Sequence, residues 1–213
     1  MKVYNINPKY RHKHTLILLH GMNHPITLNI INKINKPGTK FVIPIADKKT
    51  INWPDEIEKN CISWYNYFSR CDNMCKHDII DANQFEKITK NIIELILQES
   101  KLIDPSRISL AGISQGGTIC INAALKLNFS IKNIICIDTI FLDSYFKHEI
   151  KLNHAKQIFK ILYSNKDKIY NPVFQIKCYN VLKLFGHHLH ITQHDFGHCE
   201  NNDVIVNFIN KNC

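Results

Sequence analysis

Short, uninterrupted apolar runs alternate along this chain with longer segments whose apolar residues recur at helical spacing. Thr15–Leu19 and Phe41–Ile45 are runs of the first kind, the pattern of strands buried on both faces. From Phe85 to Glu99 the side chains of Phe85, Ile88, Ile92, Ile93, Leu95, Ile96 and Glu99 fall at the spacing of a helix. The same criteria predict a strand over Arg107–Ala111, a helix over Gln115–Leu127, and strands over Asn133–Asp138 and Ile158–Tyr163. Asn171 as cap and Pro172 at the first position predict a helix over Pro172–Phe185. His188–His194 alternates as a strand, and Asn202–Lys211 closes the chain as a helix. Strand and helix in alternation predict an α/β fold with a mostly parallel sheet. The stretch Asp47–Asp81 fits this rhythm least. Its aromatic residues Trp53, Trp64, Tyr65, Tyr67 and Phe68 predict an excursion over one end of the sheet.

No repeat, low-complexity tract or linker interrupts the 213 residues, so a single domain over residues 1–213 is expected. An apolar content of 45% excludes a disordered chain. No stretch approaches the roughly 18 consecutive apolar residues of a membrane span. Met1–His14 is polar and basic, without the apolar core of a secretory signal. A soluble, cytoplasmic protein is expected. The eight cysteines, at positions 61, 71, 75, 120, 136, 178, 199 and 213, form no CxxC pair and no zinc-type quartet. They read as free thiols, several acting as small hydrophobes, with no metal site. The formal charge of +9 points towards anionic partners. The excess is nearly all Lys, however, and only Arg11, Arg70 and Arg107 carry the guanidinium forks that read phosphates and bases specifically. Specific nucleic-acid binding is therefore not expected, which leaves weak, salt-sensitive attraction to an anionic membrane surface.

Three of the seven glycines fall within Gly112-Ile113-Ser114-Gln115-Gly116-Gly117. Gly112-x-Ser114-x-Gly116 follows a predicted strand and opens a predicted helix, the context of a nucleophile elbow. There the serine Oγ projects above the sheet, and the helix N-terminus favours developing negative charge. A serine hydroxyl needs a base, and the base an orienting acid. Asp167 follows the strand ending at Tyr163, and His198 follows the next strand. The order Ser, Asp, His is that of the α/β-hydrolases, in which the carboxyl ends of parallel strands gather at one rim. His187, His188, His190 and His194 compete with His198 as base. Asp138 and Asp143 compete with Asp167 as acid, and Asp195 reads as a turn residue. For the oxyanion, the backbone N–H of Gln115 supplies one donor. The loop Leu18-Leu19-His20-Gly21-Met22-Asn23-His24 supplies the other, with Met22 the choice and His20 a structural residue behind it.

Together, Leu18-Leu19-His20-Gly21, Ser63-Trp64-Tyr65 and Arg107–Gly117, with Asp167 and His198, resemble the phospholipase/carboxylesterase family, the small α/β-hydrolases that include acyl-protein thioesterases. The resemblance spans nearly the whole chain. It implies a minimal-lid α/β-hydrolase, with a mostly parallel central sheet flanked by helices. The activity implied is hydrolysis of a small acyl ester or acyl thioester, with no cofactor. It also implies that Trp64 and Tyr65 border the acyl side of the site; the residues themselves equally fit an anchor packed on the sheet. Asn66 stands where the family commonly has Asp, and Met22-Asn23-His24 where it has Leu-Gly-Asp. These departures bear on the substrate and leave the chemistry intact. A lipase or peptidase of the same fold and a catalytically inactive binding protein are the competing expectations.

Overall fold

A computed structural model describes residues 1–26, 28–34, 36–69, 78–142 and 155–213. Arg70, Cys71, Cys75 and Asp143 lie outside them. Strands β1 (Lys2–Ile6), β2 (His14–Leu19), β3 (Thr39–Ile45), β6 (Ile108–Ile113), β7 (Asn133–Ile137), β8 (Ile158–Ser164) and β9 (His188–His194) form one sheet. Its order is β1-β3-β2-β6-β7-β8-β9. β1 is antiparallel to β3, and every other neighbouring pair is parallel. A separate hairpin joins β4 (Lys48–Asn52) to β5 (Ile57–Ile62). The helices are α1 (Leu28–Lys33), α2 (Ala82–Ser100), α3 (Gln115–Leu125), α4 (Pro172–Leu184) and α5 (Asn202–Asn212).

The uninterrupted apolar runs are central strands because helices cover both faces of the sheet. Alternate side chains of β2 serve two cores: Ile17 and Leu19 pack with Ile92 and Ile96 of α2, Ile119 of α3 and Tyr179 of α4. Leu16 and Leu18 pack with Ile30 and Ile31 of α1 and Ile205 and Ile209 of α5. All eleven residues of α3 are buried, and its few polar side chains, Gln115, Thr118 and Asn122, are hydrogen-bonded in the interior. α4 starts as its sequence predicts, with Asn171 Oδ1 accepting the N–H groups of Val173 and Phe174 at 3.0 and 3.3 Å. β6 begins one residue after Arg107, which closes a short 3₁₀ turn capped by Asp104. Among the described residues no helix is long and apolar enough to cross a membrane. Cys61, Cys120, Cys136, Cys178, Cys199 and Cys213 are free thiols.

One ionic contact ties a helix end to the sheet. Glu99, near the end of α2, takes the Lys40 ammonium on Oε1 at 2.6 Å and the Thr15 hydroxyl on Oε2 at 3.1 Å. Both charged side chains are largely shielded from water. Glu99→Ala strands a nearly buried ammonium, and urea denaturation should show a loss of about 3 kcal/mol. Glu99→Gln keeps an acceptor and should lose less.

Candidate active site

The carboxyl ends of β2, β6, β7, β8 and β9 meet at one rim, and the predicted residues lie just beyond them. At the end of β6 the backbone turns at Ser114 with φ 49° and ψ −120°, and α3 begins at the next residue. Positive φ is uncommon for a residue with a side chain and persists where the surroundings hold it. Glycines on either side permit the turn. A Cβ on Gly112 would lie 2.5 Å from backbone atoms of Gly116, and one on Gly116 would lie 2.5 Å from the His20 carbonyl oxygen. Ser114 N–H donates to Ile137 O at 2.8 Å, and Thr139 Oγ1 donates to Ser114 O at 2.7 Å. Ser114 caps α3 without a side-chain hydrogen bond to the helix. Its hydroxyl is turned elsewhere.

That hydroxyl lies 2.9 Å from Nε2 of His198, and Nδ1 of His198 lies 2.8 Å from Oδ2 of Asp167. An Nδ1–H donating to the carboxylate leaves Nε2 as acceptor for the serine proton, the tautomer a general base requires. Asp167 is buried and held by neutral donors. Its Oδ1 accepts the N–H groups of Ile169 and Tyr170, both at 2.8 Å, and its Oδ2 accepts Gln175 Nε2 at 3.1 Å. The Tyr170 ring meets the His198 ring edge-on at 5.4 Å.

Gly21 and His24 close a tight turn beside this group, and a Cβ on Gly21 would come within 3.4 Å of Ser114 Cβ. The turn carries Met22 and is pinned by Asn23. Asn23 N–H donates to Ile62 O, its Oδ1 accepts Ile62 N–H, and its Nδ2 donates to Glu58 of the hairpin. His20 lies behind the turn, with Nδ1 donating to Gly21 O at 2.7 Å and Nε2 accepting Ala46 N–H at 3.0 Å. Met22, His24, Ser114, His198 and Glu200 are among the residues lining a cleft of about 380 Å³. That small volume is near the lower end for ligand sites.

Trp64 and Tyr65 are placed differently from the expectation that they border the acyl pocket. Both are fully buried, and neither lines the cleft at Ser114. Trp64 stacks on His20 at 4.7 Å and donates Nε1–H to the His20 carbonyl at 2.8 Å. The Gln115 side chain, also buried, clamps the segment. Its Oε1 accepts Trp64 N–H at 2.9 Å, and its Nε2 donates to Ser63 Oγ and Tyr65 O at 2.9 and 3.1 Å. The residue after the serine thus holds the Ser-Trp-Tyr segment as scaffold, the anchor role that its aromatic character equally allowed.

The competing residues separate clearly. His187 is buried and accepts Gln157 N–H, while His188 and His190 lie on the exposed β9. His194 pairs with Asp138 at 2.9 Å, and Asp138 also accepts Cys199 N–H at 2.9 Å. That second Asp–His pair, and the support Gln175 gives Asp167, are not legible as pairs in the sequence. The one signal is that Asp138, like Ser114 and Asp167, stands at or just past the carboxyl end of a strand.

This sheet order, the strand-to-helix turn at a serine, and an acid and a histidine after successive later strands define an α/β-hydrolase. Residues 3–212 match the phospholipase/carboxylesterase family, and the chain belongs to it. Solved structures with a similar fold include SOBER1 of Arabidopsis thaliana, at 16% identity and TM-score 0.75 over 93% of this chain and 98% of that one. Acyl-protein thioesterase 2 of Zea mays aligns at 14% identity and TM-score 0.73, covering 99% and 98% of the two chains. A Bacillus cereus carboxylesterase aligns at 14% identity and TM-score 0.74, covering 100% and 95%. No curated protein matches the sequence.

Burial pushes the His20 imidazole below the ordinary histidine value of 6.5, against the opposing effect of its bond to Gly21 O. The unfolded chain therefore binds this proton more readily, so stability from the neutral ring is present above about pH 6.5 and lost as pH falls below it. Nitrogen NMR at about pH 7.5 should show His20 neutral, protonated on Nδ1 and bare on Nε2.

Proposed function

We propose that this protein is a cytoplasmic serine hydrolase that cleaves small carboxylic esters or thioesters through Ser114, His198 and Asp167. The observation that carries the reading is the unbroken hydrogen-bonded line from Ser114 Oγ through His198 to Asp167. In the reaction, Nε2 of His198 takes the hydroxyl proton as Ser114 Oγ attacks the acyl carbon. Asp167 keeps Nδ1–H in place and stabilises the imidazolium. The backbone N–H groups of Met22 and Gln115 bind the oxyanion. As the tetrahedral species collapses, His198 returns the proton to the leaving alcohol or thiol, and the acyl group stays on Ser114. Water, deprotonated by the same nitrogen, then releases the acid and restores the serine. No step requires a cofactor, and the lysine-rich surface supports weak attraction to anionic lipid.

Turnover of p-nitrophenyl esters and thioester analogues of graded chain length, with fluorophosphonate labelling, tests this directly. The wild type should be active and labelled, and Ser114→Ala should lose both, with a fall of ~10³-fold or more in rate. Asp167→Asn should lower kcat by a similar order with KM little changed, because the imidazole then loses its orienting acceptor. A folded wild type that neither turns over nor labels overturns the enzymatic reading in favour of a binding protein.

A further inference from the structure

The relay leaves one buried carboxylate unused. Asp138 follows β7 directly, is fully buried, and has φ 42°, a conformation rare for a residue with a side chain. Each of its oxygens has a donor: Oδ1 takes His194 Nε2–H at 2.9 Å and Oδ2 takes Cys199 N–H at 2.9 Å. Phe196 N–H approaches Nδ1 of His194 at 3.4 Å, which fits a neutral ring with its proton on Nε2. Asp138 is thus held by one ring N–H and one backbone N–H, with no lysine or arginine in either contact.

Cys199 is the residue after His198, and it too has positive φ, at 53°. Its N–H bond to Asp138 therefore clamps the backbone beside the imidazole, at the place where the loop is most strained. A carboxylate oxygen of Asp138, a ring nitrogen of His198 and the Cys199 sulfur lie within 4.8 Å of one another. At that range a carboxylate acts on the charge of an imidazole as well as on its position. The other ionisable groups around Asp138 among the described residues are His194 on β9, Cys199 after it, Tyr179 on α4 and Asp167 after β8. Burial and the two carboxylates push both the Cys199 thiol and the Tyr179 hydroxyl upward, so both stay neutral.

We propose that Asp138, oriented by His194, is a positioning residue of the reaction: it fixes the His198 loop through Cys199 N–H and adds a second negative charge favouring the imidazolium. This rests on the hydrolase reading above. Asp138→Asn is a suitable probe, because Asn tolerates positive φ and its carbonyl can still accept Cys199 N–H while the charge is removed. With wild type active on a p-nitrophenyl ester, Asp138→Asn should lower kcat by roughly tenfold or more and leave KM near its original value. The acid limb of its kcat/KM profile should move to lower pH, since an imidazole that loses a neighbouring negative charge gives up its proton more easily. His194→Phe, which removes the donor, should also slow kcat by roughly tenfold. His194→Gln, whose amide N–H can replace Nε2–H, should keep the rate within about threefold.

Circular dichroism establishes that each variant folds, and if Asp138→Asn does not, the His194 pair decides. A folded Asp138→Asn within about threefold of wild type, with an unmoved acid limb, overturns this inference and leaves the hydrolase reading standing. Equal rates for His194→Phe and His194→Gln also overturn it. An inactive, unlabelled wild type removes both readings together.

Discussion

The reversal of the chain between β6 and α3 allows only one residue for the turn, and two missing Cβ atoms make that possible. With Gly112 against Gly116, and Gly116 against the His20 carbonyl, α3 starts flush behind the sheet and beside the end of β2. Three consequences follow from this close approach. The serine takes a backbone conformation that directs its hydroxyl away from the helix it caps. The loop after β2 is brought to within van der Waals range of that serine. The side chain of Gln115 enters the protein interior, where its amide binds Ser63, Trp64 and Tyr65. A methyl group at either glycine would separate helix, loop and strand at once.

The central elements are legible in the sequence because burial on both faces leaves an uninterrupted apolar run in β2, β3 and β7, and a mostly apolar one in β6 and β8, broken by Ser109 and Lys160. Helices α2, α4 and α5 are legible through their periodicity and caps, and α3 through its place after the elbow. What the pattern does not reveal is peripheral. β1 lies at the sheet edge in a segment that reads only as polar and basic, because its register with β3 comes from the partner strand. Helix α1 is six residues long and contributes only Ile30 and Ile31 to the core. The hairpin β4–β5 is polar on most of its surface, so it leaves no alternation to find.

At the candidate site, the meeting of Ser114, His198 and Asp167 is legible from chain order and strand ends, because the rim of a parallel sheet turns sequence order into spatial proximity. The burial of Trp64 and Tyr65 is not. An aromatic pair in a loop reads the same whether it faces a ligand or a core, and the buried amide of Gln115 decides the matter in three dimensions. The Asp138–His194 pair was hidden for a related reason. Its members are 56 residues apart, and no spacing rule joins the ends of two strands that are not neighbours in the sheet.

Much of what organises the rim is main chain. Ile169 and Tyr170 support Asp167 through their N–H groups, Cys199 meets Asp138 through its own, and Asn23 holds the turn after β2 partly through backbone. A peptide N–H is the same in every residue but proline. Side chains at such positions are consequently released from the chemistry and can drift while the architecture stays put. Sequences that have kept little in common can thus still fold to superimposable rims, and the letters that change most readily there are those whose atoms the site never uses.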